Sequence, residues 1–176
     1  MIDILNFGKK KYSKSELELF SFLAKNPIFK DLTYREMALF APHMYLRDYS
    51  ENEVVFFRND PSNAFYLLKT GNVRLSIDVS QGFESLFDVA PGMMFGENAL
   101  LDNSKRLYHA IVTSEKARIY ALPTVTLHDI LSSNVEVKAK ILHSFGELYD
   151  EYAQNLFKAY KRSFGFFDLS QVFGPK

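Results

Sequence analysis

The chain has 176 residues, 47% hydrophobic and 15% aromatic, with 21 Lys plus Arg set against 21 Asp plus Glu. That length suits one domain with an appendage and a proper core, and the balanced charge offers no field to recruit nucleic acid or an anionic membrane. Cys is absent, which excludes disulfides and thiolate metal sites and fits a reducing compartment.

At the start, the apolar residues precede Lys9-Lys10-Lys11, the reverse of the order in a secretory signal. No stretch approaches the ~20 apolar residues that cross a bilayer, so the expected location is the cytoplasm. The Lys run reads as a solvated basic start or a contact patch. Over residues 13–24, Leu17, Phe20, Leu23 and Ala24 recur at helical spacing, with Ser15 near the N-cap and Pro27 beyond the end. A second short helix is expected after Thr33, whose partner Glu36 three residues on makes a capping box. Met37, Leu39 and Phe40 form its apolar face, and Pro42 stops it.

From residue 44 to 122 the period changes to two. Strands are expected over 53–58, 64–69, 73–79, 83–89, 110–113 and 117–122, separated by turns at 59–63, Thr70-Gly71-Asn72, Gln81-Gly82 and Ala90-Pro91-Gly92. Short strands with turns every 8–12 residues predict a small barrel or double-sheet roll rather than βαβ units.

From 134 to 164 the helical period returns. Ile141, Phe145, Leu148, Tyr152, Asn155 and Ala159 form a heptad seam, and Leu142, Tyr149, Ala153, Leu156 and Tyr160 form a second stripe beside it. Thirty residues at ~1.5 Å each make a helix of ~45 Å, too long for one small roll to cover. One stripe can pack on the roll while the other meets a partner, or the whole helix can fold back in a monomer. Gly165 is a plausible stop, and the aromatic tail 166–176 is expected to dock back on the roll or pair with another chain.

The chemistry-bearing stretch is Phe95-Gly96-Glu97-Asn98-Ala99-Leu100-Leu101, closing on Arg106. Gly96 lets backbone approach a ligand without a Cβ in the way. The following turn offers free N–H groups to an anion. Arg106 offers a planar fork to a phosphate, and Glu97 an acceptor pair to sugar hydroxyls. Together they describe a sugar-phosphate pocket.

These residues resemble the phosphate-binding cassette of cyclic nucleotide-binding domains, as in catabolite-activator-type regulators and protein kinase A regulatory subunits. Phe95, Gly96, Glu97, Ala99, Leu100 and Arg106 match the pattern; Asn98 replaces an aliphatic residue, and Leu107-Tyr108-His109 replace small or hydroxyl residues. The phrase from Pro27 to Thr33 also resembles the lead-in to that family's roll. The resemblance implies a mainly β fold with flanking helices: an antiparallel β-roll (a double-stranded β-helix, jelly-roll-like) with N-terminal helices and a long C-terminal helix. The expected segments are 1–43, an N-terminal helical segment; 44–122, the roll; 123–165, C-terminal helices that dimerise; and 166–176, the aromatic tail.

The resemblance further implies that Glu97 holds the ribose 2′-hydroxyl. Gly96, Arg106, Leu107 and the N–H groups of Asn98, Ala99 and Leu100 would hold the cyclic phosphate of cAMP or cGMP. Leu75, Leu86 and Val89 stand where relatives face the base, though ordinary roll interior fits each of them equally. Tyr149, Tyr152 or Ala153 would approach the base if the long helix caps the pocket. A parallel homodimer through that helix is implied, with Asn155 setting its register.

His43, His109, His128 and His143 show no metal-ligand spacing, and no nucleophile sits on a recognisable elbow. Neither an enzyme nor a metal cofactor is expected. After residue 165 there is no room for a helix-turn-helix module, so DNA is not the expected target. Two functions follow. One is a cytoplasmic cyclic-nucleotide sensor that signals through a partner protein. The other is a degenerate roll, its phosphate niche filled by the residues after Arg106, that serves as a dimeric protein-interaction module.

Overall fold

The computed structural model describes residues 12–80 and 82–164. Lys9-Lys10-Lys11, Gln81, the stop at Gly165 and the tail 166–176 lie outside the described residues. The rest is a roll of two four-stranded antiparallel sheets with helices at both ends, the fold class expected.

Helix α1 (Lys14–Leu23) starts at Ser13, two residues before the expected cap. Ser13 and Glu16, three residues on, bond reciprocally through side chain and backbone in a capping box. Helix α2 (Tyr34–Met37) uses the Thr33–Glu36 box as predicted. Phe20 and Leu23 of α1 and Met37 of α2 are buried; α2 is shorter than expected, so Leu39 and the buried Phe40 lie in the turn beyond it.

The strands are β1 (Tyr45–Ser50), β2 (Val54–Phe56), β3 (Ala64–Thr70), β4 (Val73–Val79), β5 (Gly82–Val89), β6 (Met94–Phe95), β7 (His109–Val112) and β8 (Lys116–Pro123). One sheet runs β1-β8-β3-β6 and the other β2-β7-β4-β5. The first sheet is covered on both sides. Phe65, Leu67 and Leu122 face a core shared with the helices, while Leu68, Ala117 and Ile119 face the roll interior with Phe56, Val73, Phe95 and Val112. This double burial explains why β3 reads as a nearly continuous apolar run. Strand β5 ends the second sheet, and every residue in it except Val89 is exposed. Asn52 and Asn59, which stand where the resembled family often has Gly, adopt φ of 67° and 68°, a conformation Asn tolerates better than most residues.

Helix α3 (Thr124–Ser133) buries Leu127, Ile130 and Leu131. Helix α4 (Val135–Phe164) divides in two. Val137, Ile141, Phe145 and Leu148 are buried in the helix-side core, whereas no residue from 149 to 163 is buried. The start of the heptad seam therefore packs on its own domain. No described helix is long and apolar enough to cross a membrane.

Candidate functional site

Pairing of β6 with β3, Tyr66 opposite Phe95, brings the segment that follows against the first sheet. Gly96 then adopts φ 69° and ψ 29°, a left-handed conformation natural for Gly, and heads a 3-10 turn over Glu97–Leu100. Ala99 and Leu100 turn their side chains into the core, and the Ala99 N–H donates to the Gly96 carbonyl. That donor is spent inside the turn.

Arg106 is fixed first through its backbone. Its N–H donates to Asp60 O, and its carbonyl accepts from Asn59 N–H, each at 2.9 Å. The side chain is 2% exposed. Its guanidinium carbon stands 4.2 Å from the Phe56 ring centroid and 5.4 Å from that of Tyr66, in a favourable cation–π setting. Nη1 donates to Gly96 O at 3.0 Å and to Asn98 Oδ1 at 3.4 Å, and Nη2 donates to Ala64 O. Nε is buried with no partner. Burial pulls the Arg106 pKa down, against the neighbouring Tyr66, Tyr108 and Glu97. Arg106 is thus a cation whose fork holds backbone carbonyls together.

Asn98 explains its own departure from an aliphatic residue. Its amide donates to Lys105 O and accepts from Arg106, while its carbonyl accepts from Ser104 Oγ at 2.6 Å. The side chain ties the two ends of the 96–106 loop. That role is invisible in a pattern that records only residue type.

Glu97 is 8% exposed. Burial raises its pKa against the lowering contributions of its own backbone N–H, Tyr108 and Arg106. Its Oε2 accepts from the Tyr108 hydroxyl at 3.2 Å, and that hydroxyl accepts from the Gly96 N–H at 3.0 Å. Burial and the Glu97 charge push the Tyr108 pKa well above its usual value, so the phenol keeps its proton and donates.

Above Glu97 lies a largely apolar cavity of about 300 Å³. Leu75, Leu86 and Phe87 form its strand wall and Met93 and Met94 its rim, with Glu97, Tyr108 and Tyr152 completing it. Of the residues expected near a base, Leu75, Leu86 and Tyr152 line this cavity, while Val89 sits in the roll core at 1% exposure. Leu107 is 64% exposed and away from the lining. The sequence reading missed Phe87, Met93 and Met94 and gave Tyr108 no individual place. Phe87 was findable, since it pairs with Leu75 across the hairpin. Tyr149, half-buried beside Phe145 and Tyr152, has its pKa pushed up to about 12 by burial and the Glu97 charge.

A larger hollow of about 700 Å³ opens between α2 and the start of α4, but its Glu36 and Lys140 are already paired at 2.8 Å. His109 is buried on β7, where Nδ1 accepts from Arg58 N–H at 3.1 Å and Nε2 meets Asp78 at 2.8 Å. His128 bridges Ala99 O and Asp102. Among the described residues, no group of three or more His, Cys, Asp or Glu side chains could hold a metal ion.

The roll thus sets a buried acid, a buried arginine and an apolar cavity beneath a long helix. The chain belongs to the cyclic nucleotide-binding domain family, whose match spans residues 46–134, just over half of it. It is 32% identical over 91 residues to the Cyclic AMP receptor protein of Thermus thermophilus, covering 51% of this chain and 42% of that protein. It is 30% identical over 95 residues to the cAMP-dependent protein kinase regulatory subunit of Hypocrea atroviridis, covering 54% of this chain and 20% of that one. The chain thus spans less than half the length of either. Among solved structures, the N-terminal domain of a transcriptional regulator from Streptomyces coelicolor shares the fold at TM-score 0.67 and 23% identity, covering 74% of this chain and 94% of that one.

Proposed function

We propose that this chain is a cytoplasmic regulatory domain that binds a 3′,5′-cyclic nucleotide, cAMP or cGMP, between the roll and α4. It acts as a homodimer through α4 and passes occupancy to a partner protein, because a ligand moves an equilibrium only by preferring one state. What supports the reading above all is the presence of both Glu97 and Arg106 around the 96–106 loop, within a domain of this family. The cavity, at the small end of the usual ~300–1,000 Å³ range, would take the base against Leu75, Leu86 and Phe87 under Tyr152.

A second reading, a nucleotide-free interaction module, draws support from Tyr108, whose hydroxyl already occupies Gly96 N–H and Glu97. Exposed Phe83, Leu86 and Phe87 on β5 and Leu156 on α4 would supply its contact surface.

Calorimetric titration with cAMP and then cGMP separates the two readings, with Arg106→Lys in parallel to keep the cation and remove the fork. Micromolar or tighter binding, weakened at least tenfold by the variant, is the expected result. No heat and no melting shift at millimolar nucleotide would overturn the sensor in favour of the module.

A further inference from the structure

We propose that the Tyr108 hydroxyl is an internal stand-in for the ligand's sugar hydroxyl, holding the two hydrogen-bonding positions that a nucleotide must take over. The inference rests on the cyclic-nucleotide reading above.

The geometry is that of an alcohol guest. One hydroxyl accepts from Gly96 N–H at 3.0 Å and donates to Glu97 Oε2 at 3.2 Å, the paired roles a ribose hydroxyl offers. Glu97 is buried, and a carboxylate left without a partner in such a place carries a large desolvation penalty. Tyr108 joins the Glu97 backbone N–H and the Arg106 charge in offsetting that penalty. Its ring stands 5.8 Å from Phe56, the same ring that carries the Arg106 guanidinium, so the phenol is packed as well as hydrogen-bonded.

The surroundings let the side chain leave without the backbone. Arg106 is pinned by Asn59 and Asp60 on one side, and His109 by Arg58 N–H and Asp78 on the other. Tyr108 lies between these fixed points, outside both β6 and β7, and lines the cavity that the ligand would enter.

The consequence is measurable with one atom removed from each side. In the natural protein a ligand 2′-hydroxyl only replaces bonds that Tyr108 already makes, so it adds little net affinity. In Tyr108→Phe the ring remains but Gly96 N–H loses its acceptor and Glu97 loses one of its donors, and the 2′-hydroxyl should regain its value.

The experiment titrates the natural protein and Tyr108→Phe with cAMP, cGMP and their 2′-deoxy analogues. Thermal melting confirms the fold, and Tyr108→Ala serves as a second variant. The expected preference for the 2′-hydroxyl is within about threefold in the natural protein and about tenfold or more in Tyr108→Phe, with the parent nucleotide itself bound more tightly by the variant. An equal preference in both proteins, or weaker parent-nucleotide binding by both variants, overturns the stand-in and leaves the sensor reading intact. No binding of any of the four nucleotides to any of the three proteins at millimolar concentration overturns both.

Discussion

Arg106 Nη1 stands 3.0 Å from the Gly96 carbonyl, and a Cβ built on Gly96 would lie 2.5 Å from that same nitrogen. The glycine is therefore required twice, by its φ of 69° and by the guanidinium beside it. Gly96→Ala should cost ~1–3 kcal/mol from the left-handed backbone, and the displaced guanidinium should loosen its bonds to Gly96 and Ala64. Urea unfolding of the variant against the natural protein checks the loss; an unchanged midpoint would contradict it.

Glu97 gives a pH dependence of unusual sign. Burial raises its pKa in the folded state above the ~4.3 of an unfolded Glu. The folded protein then binds more protons than the unfolded chain between those two values, so this residue's contribution falls as pH rises through that window. Glu97→Gln should flatten that part of the stability curve. Thermal melts in half-unit steps from pH 4 to 7 provide the comparison, and parallel curves for the two proteins would refute the assignment.

Glu36 runs the other way. Burial disfavours its charged form, but the bonds from Lys140, Thr33 N–H and Thr33 Oγ outweigh it and hold the pKa below the usual value. Its contribution is present above ~4.3 and is lost as pH falls through the lowered folded value. Thr33→Ala should cost ~1 kcal/mol at neutral pH by removing the cap, and Lys140→Met should shrink the acid-side loss. Denaturation at pH 7 and pH 3 reads both effects.

Leu156 on α4 is 65% exposed, in the stretch 149–163 where no residue is buried. If α4 joins two copies, Leu156→Glu should halve the mass seen by light scattering while shifting single-chain stability by no more than ~0.5 kcal/mol. An unchanged mass would locate any self-association elsewhere.

Much of the fold was legible because its signals are local. The Thr33–Glu36 box, the left-handed Asn residues at 52 and 59, and the two-residue period of β4 and β8 depend on neighbours a few positions apart. Strand β1 was harder to read: only Leu46 and Tyr49 are half-buried and the rest is exposed, so no clean alternation marks it. Strand β6 has two residues, too few to show any period. At the site, the types and spacing of Gly96, Glu97 and Arg106 were readable. The direction of each donor was not, because it depends on partners elsewhere in the chain: Ala64 and Phe56 for Arg106, and Gly96 and Glu97 for Tyr108. The heptad seam illustrates the same limit. Its spacing is regular throughout, yet Ile141 to Leu148 are buried by this domain and the continuation from Tyr152 is not.

That division of α4 makes the helix a lever with its fulcrum at the site. Tyr152 touches the cavity, and the helix continues to Phe164, ~18 Å further at ~1.5 Å per residue. A tilt of about 10° at Tyr152, small enough to be absorbed by a few side-chain rotamers, sweeps the far end through ~3 Å, a large fraction of the ~5.4 Å helical pitch. Knobs-into-holes contacts are discrete, so a sweep of that size separates one register of a facing surface from the next. For the homodimer proposed above, a change of one ring's position under α4 would thereby be magnified into a choice between arrangements of the two copies.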